Sequence, residues 1–257
     1  MLLLVAASGC SNRFGVPEPA SRQGGEILDL WRVLFFSAVA LGVLVIGLIG
    51  WSLVRYRRRT DGQAGGFSEN VRLELFYTAV PLVIVAVLFG LTVATQRDVN
   101  RMAPQPDVRV EVTGFQWGWR FRYLTEGVVI VGTSTDNPIM VLPVDSTIRL
   151  NLLSPDVIHA FFVPEFLVKR DVIPGVDNRL DVTTTRTGRF GGVCAEFCGL
   201  DHARMTFAVE VVEPAQFQAW LREQVAQQRT TTSLQDGQGG GPGGQAAPPV
   251  RGAVRVG

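Results

Sequence analysis

Two long apolar runs near the beginning of the chain give way to a period-two pattern that fills its middle. Residues 33–54 form 22 positions without a charge and residues 76–95 form 20 more, each long enough for one membrane-spanning helix. Both are apolar on all sides, unlike the one-faced stripe of a helix packed in a soluble core. Arg55, Arg57, Arg58 and Arg59 follow the first run directly. Arginine concentrated in a short loop marks the cytoplasmic side, so both termini are expected outside. The hairpin with its flanks is assigned to residues 26–98.

From Pro104 the hydrophobicity alternates. Val108, Val110 and Val112 are separated by Arg109 and Glu111, and Ile148, Leu150 and Leu152 by Arg149 and Asn151. Short strands of this kind, divided by Gly, Pro, Asp and Asn, predict an antiparallel β-sandwich or barrel over residues 104–214. Pro214 suits the first turn of a helix, and residues 215–228 predict a short amphipathic one. Residues 229–257, rich in Gly, Gln and Thr, are expected to be disordered. The fold class is mixed: a transmembrane helical hairpin followed by an all-β domain.

Charge narrows the partners. The 257 residues carry a net charge of +1, too little to hold nucleic acid. Residues 104–214 contain 14 acidic and 10 basic groups, a balance of −4, which is compatible with a basic partner. Lys169 is the single lysine, read as compositional bias with no function attached. Ala7-Ser8-Gly9-Cys10 closes a short apolar leader within residues 1–25 and is similar to a bacterial lipoprotein cleavage box, although no basic segment precedes it. Lipidation of Cys10 is the expectation, because a lone exported thiol otherwise needs explaining.

The densest chemistry lies in one loop. Cys194, Glu196, Cys198, His202 and Met205 fall within twelve residues, and the one other histidine is His159 in SPDVIHAFFVPEF. A cysteine pair in an exported domain is often a disulfide, and Cys194, Cys198, His202 and His159 would also serve zinc. Met205 counts against both, since a disulfide needs no methionine and structural zinc does not take a thioether. Met205 also suits a plain core position, opening a strand in which Met205, Phe207, Val209 and Val211 share one face. Thiolate, thioether and imidazole together select copper over hard cations. The donors exceed what one trigonal copper requires and suit two copper ions bridged by two thiolates, with one imidazole on each.

With this loop, the His159 segment and the LVKRDVIPG stretch between them, residues 26–226 resemble subunit II of the haem–copper cytochrome c oxidases, of actinobacterial type. The resemblance implies a cupredoxin domain, a Greek-key sandwich or barrel. Its dinuclear copper centre would be held by His159, Cys194, Cys198, His202, Met205 and the backbone carbonyl of Glu196. It implies that the Glu196 side chain reaches a magnesium ion shared with subunit I. The function implied is that of an aa3-type oxidase. Electrons from cytochrome c, or from a membrane-bound c-type cytochrome of a bc complex, would pass through this subunit to haem in subunit I. There oxygen is reduced to water and protons are pumped. The implied location is a bacterial plasma membrane, with both termini and the copper domain on the outer face, beside subunit I and other oxidase subunits.

Two further residues come from the resemblance. Aromatic residues at alternate strand positions are ordinarily core, and Phe115 and Trp119 are read so. Trp117 matches the family's exposed tryptophan that takes the incoming electron. Gly118 stands where tyrosine is common, and Arg120 and Arg122 depart from a neutral or acidic pattern, so a donor unlike a small basic cytochrome c is expected. Glu74, just before the second span, reads first as an interfacial carboxylate solvated by headgroups and water. Similar glutamates in the family stand at the mouth of a proton path into subunit I.

Rival functions meet specific obstacles. A quinol-oxidase homologue lacks the copper ligands this chain keeps, and a nitrous oxide reductase needs histidines it does not have. Two membrane spans do not suit a copper chaperone, and without CxxCH no c-type haem is fused to the chain.

Overall fold

The computed structural model describes residues 15–57 and 69–238. Cys10, Arg58, Arg59 and residues 239–257 lie outside the described residues.

Both apolar runs are helical, and both helices outlast their apolar cores: α1 spans Arg22–Arg55 and α2 spans Val71–Val99. The 34 residues of α1 extend about 51 Å at 1.5 Å per residue. A hydrocarbon core is only about 30 Å thick, so part of α1 stands clear of the membrane. Polar side chains close the helix starts. The Ser21 hydroxyl accepts from the Gly24 N–H at 3.0 Å, and Asn70 Oδ1 accepts from the Leu73 N–H at 3.1 Å, each satisfying a first-turn donor that has no intrahelical partner. Val43, Ile46, Leu82 and Phe89 are exposed along the hairpin, a surface suited to lipid or neighbouring membrane helices.

Ten strands follow: β1 (Val108–Phe115), β2 (Gly118–Tyr123), β3 (Val129–Thr133), β4 (Ile139–Pro143), β5 (Thr147–Leu153), β6 (His159–Val163), β7 (Val168–Val172), β8 (Asn178–Thr183), β9 (Gly188–Cys194) and β10 (Thr206–Val212). They form two five-stranded sheets, in the orders β3-β2-β1-β5-β8 and β4-β10-β9-β6-β7. Val110, Val112, Ile148, Leu150 and Leu152 point inward and are buried, as their alternation predicts. The expectation of antiparallel pairing throughout is corrected at two places, because β1 pairs with β5, and β4 with β10, in parallel. Alternation reports which face a residue occupies and is silent on strand direction. Both parallel pairs join strands far apart in the chain, as parallel pairing requires.

An aromatic cluster fills the core beneath the chemistry-bearing loop. The rings of Trp119 and Phe207 lie 5.2 Å apart, and those of Phe161 and Phe207 4.9 Å apart. Gly192 is required beside them, since a Cβ there would fall 2.1 Å from the Phe207 ring.

The C-terminal helix is longer than expected. α3 spans Pro214–Gln238, so residues 229–238 are helical and the expectation of disorder from 229 is corrected there. Low apolar content misled the reading. Phe217 and Leu221 are buried, Trp220 packs on Tyr123, and the Gln228 amide donates to the Val129 carbonyl at 2.8 Å. With those turns anchored, each added helical residue costs little.

The start of α1 and the segment after α2 are stitched to the first sheet. Thr185 N–H donates to the Ala20 carbonyl at 3.0 Å, Thr183 N–H to Gln23 Oε1 at 3.0 Å, and Ser21 bridges Thr184, just past the end of β8. After α2, the Ala103 N–H donates to Asp181 Oδ2 at 2.7 Å, and Asp181 pairs with Arg149 through two bonds of 2.8 Å. The β-domain is thereby held against the start of α1 and the end of α2.

Candidate metal centre

His159 opens β6, Cys194 ends β9, and the loop from Cys194 returns through a single 3-10 turn at His202–Arg204 to Met205 before β10. Sheet register brings them together: Phe161 faces Cys194, Val193 faces Thr206, and the Cys194 N–H donates to the Met205 carbonyl at 3.0 Å.

The two sulfurs, Cys194 Sγ and Cys198 Sγ, are 3.8 Å apart, far beyond a disulfide bond of about 2.05 Å. His159 Nδ1 lies 3.9 Å from Cys194 Sγ, and His202 Nδ1 lies 3.6 Å from Cys198 Sγ. Met205 Sδ is 3.7 Å from Cys198 Sγ, and the Glu196 carbonyl oxygen is 3.3 Å from Cys194 Sγ. His159, Cys194, Cys198 and Met205 are buried. The two thiols stand at the centre with an imidazole beside each, and a thioether and a carbonyl flank them.

The spacing of these donors bears on the metal. The ligand atoms of His159, Cys194 and Cys198 all lie within 4.8 Å of one another, and His202 does not join that group. One tetrahedral zinc with bonds of about 2.0–2.3 Å would draw all four donors to within about 4 Å of each other. Two central sulfurs with an imidazole beside each instead suit two ions side by side, and the soft donors suit copper.

Burial pushes the Cys194 thiol up, but hydrogen bonds with His159, with the backbone at Glu196 and Ala160, and with His202 outweigh it and bring it down to about 6. Burial and the neighbouring Cys194 thiolate push Cys198 up to about 12. Two thiolates this close therefore need a metal counter-charge. Asp156 Oδ1 lies 2.8 Å from His159 Nε2, and Asp156 Oδ2 accepts from the Gln116 N–H at 2.7 Å. Burial lowers the His159 pKa, but its contacts with Cys194 and Asp156 outweigh that and leave it raised. A carboxylate on Nε2 keeps Nδ1 facing the sulfur, the orientation a metal-bound imidazole needs.

Residues 124–212 match the family described as cytochrome c oxidase subunit II, periplasmic domain, and residues 10–92 match the cytochrome c oxidase subunit II, transmembrane domain. A probable cytochrome c oxidase subunit 2 from Streptomyces avermitilis is 39% identical over 266 residues, covering 86% of this chain and 83% of that protein. The chain belongs to the cytochrome c oxidase subunit II family. The cytochrome c oxidase subunit 2 of Mycobacterium tuberculosis is 35% identical over 287 residues, covering 87% of this chain and 79% of that one. Among solved structures, the periplasmic domain of subunit II of the Bradyrhizobium japonicum cytochrome oxidase is 37% identical. It covers 49% of this chain and 99% of its own, with a TM-score of 0.45. As a subunit II, the chain is a membrane component of a multi-subunit haem–copper oxidase, an oxidoreductase, with a copper-type cupredoxin domain that carries electrons.

The remaining candidate residues of this subunit II fall in three places. Trp117 lies between the two matched segments, half-buried, and its Nε1 donates to the Cys198 carbonyl at 3.1 Å. Trp119 is fully buried and Phe115 half-buried. The Glu196 carboxylate lies 3.5 Å from Lys169 Nζ, which is also 3.4 Å from Asp171 Oδ1. Glu74 is exposed in the first turn of α2, at the helix end away from the β-domain. Arg122 is paired through two bonds with Glu111, at 3.0 and 2.5 Å.

The sequence reading missed Asp156, the Gln116 amide and Lys169. Asp156 had a legible signal, a carboxylate three positions before His159 in the same short loop.

Proposed function

We propose that this chain receives electrons from a c-type cytochrome, soluble or anchored to a bc complex, and passes them to haem in subunit I of an aa3-type oxidase. That oxidase reduces oxygen to water and pumps protons. The observation carrying this reading is the pair of sulfurs 3.8 Å apart with an imidazole Nδ1 beside each. Bound there, two copper ions would supply a one-electron carrier whose charge is shared between them.

The protein's own groups do the rest. Cys194, Cys198, His159, His202, Met205 and the Glu196 carbonyl would hold the two ions, the thiols standing between the two imidazoles. Asp156 holds the His159 ring in orientation. The buried aromatic cluster keeps the site dry and rigid, so little rearranges when charge arrives. Trp117 offers the surface contact for the donor, supported by its bond to the Cys198 carbonyl. The Glu196 carboxylate would hold magnesium at the boundary with subunit I, and Glu74 would stand at the mouth of a proton path on the opposite membrane face. Both termini are placed outside, a reading supported by the attachment of the α1 start and the α2 end to the β-domain.

Copper content and the electron paramagnetic resonance spectrum of the oxidase purified from membranes test the proposal. Two coppers in this subunit, with hyperfine structure shared over two nuclei, are expected. One copper or none, with Cys194 and Cys198 disulfide-bonded under reducing conditions, would overturn it.

A further inference from the structure

One short segment touches both halves of the metal centre. The Gln116 N–H donates to Asp156 Oδ2 at 2.7 Å, and the other oxygen of that carboxylate holds His159 Nε2 at 2.8 Å. The Gln116 side chain points the other way, and its Nε2 donates to the Cys198 carbonyl at 2.8 Å. Trp117 Nε1 donates to the same oxygen at 3.1 Å, so both of its lone pairs are used.

The chain beyond Cys198 is shaped to allow this. Gly199 has φ +117°, a conformation that side chains disfavour. A Cβ there would sit 3.1 Å from the Trp117 ring and 3.2 Å from Gln116 Nε2. Two donors on one carbonyl fix the Cys198–Gly199 peptide plane, and with it the direction in which Cys198 projects its sulfur.

The geometry points to Gln116 as a positioning residue of the metal centre, setting the separation between the His159 loop and the Cys198 loop. The inference rests on the copper reading above. Gln116 touches no ligand atom and acts through Asp156 on one side and the Cys198 backbone on the other. Its side chain is otherwise exposed, so the amide is not needed to fill the core.

The test compares wild type, Gln116→Met and Gln116→Lys in the whole oxidase purified in detergent. Met keeps the length and removes the donor; Lys restores a donor of similar reach. Copper per subunit, the hyperfine pattern and the rate of copper loss to excess chelator are measured. Two coppers are expected in all three. Gln116→Met should lose copper about tenfold faster, the usual scale for removing a group that orients a ligand, with an altered hyperfine pattern. Gln116→Lys should return both properties towards wild type. A Met variant matching wild type overturns the assignment, as does a Lys variant that restores nothing. Wild type lacking two coppers would sink the copper reading itself, and this inference with it.

Discussion

The indole of Trp117 is bonded directly to the backbone of Cys198, with Nε1 donating to its carbonyl oxygen at 3.1 Å. The shortest covalent route from that oxygen to the Cys198 sulfur runs through one residue's own atoms. Trp117→Ala in the oxidase should slow electron uptake about tenfold or more, equivalent to about 1.4 kcal/mol of barrier, and leave both coppers bound. Stopped-flow reduction by the donor cytochrome measures it. An unchanged rate would remove Trp117 from the path.

Met205 is buried, with its sulfur 3.7 Å from Cys198 Sγ. Met205→Leu conserves volume and should cost less than about 1.5 kcal/mol of stability, while both coppers remain and the reduction potential changes. Loss of all copper in a potentiometric titration would refute a weak outer role.

The two thiols predict a proton count. At pH 8 Cys194, at about 6, is already ionised, whereas Cys198, at about 12, still carries its proton. Because metal binds the thiolate, copper loading should release at least one proton per subunit at pH 8. Affinity should rise with pH until Cys198 ionises by itself. An indicator dye in weak buffer reads the release, and its absence would mean the thiolates are preformed.

Lys169 stands between two carboxylates, 3.5 Å from Glu196 and 3.4 Å from Asp171, where a divalent cation would compete with it. Lys169→Met should tighten manganese binding, used as a paramagnetic stand-in for magnesium, by severalfold. Equal affinity in the two proteins would place the cation away from Glu196.

Tyr123 ties β2 to the edge of the opposite sheet. Its hydroxyl donates to the Val141 carbonyl at 2.8 Å and accepts from the Val141 N–H at 2.9 Å. Tyr123→Phe leaves both buried groups of Val141 without that partner, so unfolding should become easier by about 1–3 kcal/mol. Thermal denaturation of the subunit checks the loss, which should occur without change in copper content.

The parts legible in the sequence were those written locally. Length and uniform apolarity sufficed for the helices, and alternation for the inward faces of β1, β5 and β10. Five donors lay in one loop, so only His159 had to be brought from a distance. What escaped depended on contacts between remote segments. Parallel pairing of β1 with β5 leaves no trace in either strand. Lys169 looked like compositional noise because Glu196, its partner, lies 27 positions away in the chain and meets it only in space. Gln116 was visible as a neighbour of Trp117, but its amide acquires meaning only when the Cys198 carbonyl arrives 82 positions later.

The stitch between Gln23 and Thr183 joins positions 160 apart, and it has a consequence for biogenesis. The segment ahead of α1 is synthesised long before β8, yet it supplies the bridge and hydrogen bonds that partner Thr183–Thr185 at the end of that strand. A chain inserted with that segment on the wrong side would finish its sandwich with Thr183–Thr185 bare, an open template for strand addition. Correct threading of the membrane is thus converted into completeness of a sheet edge.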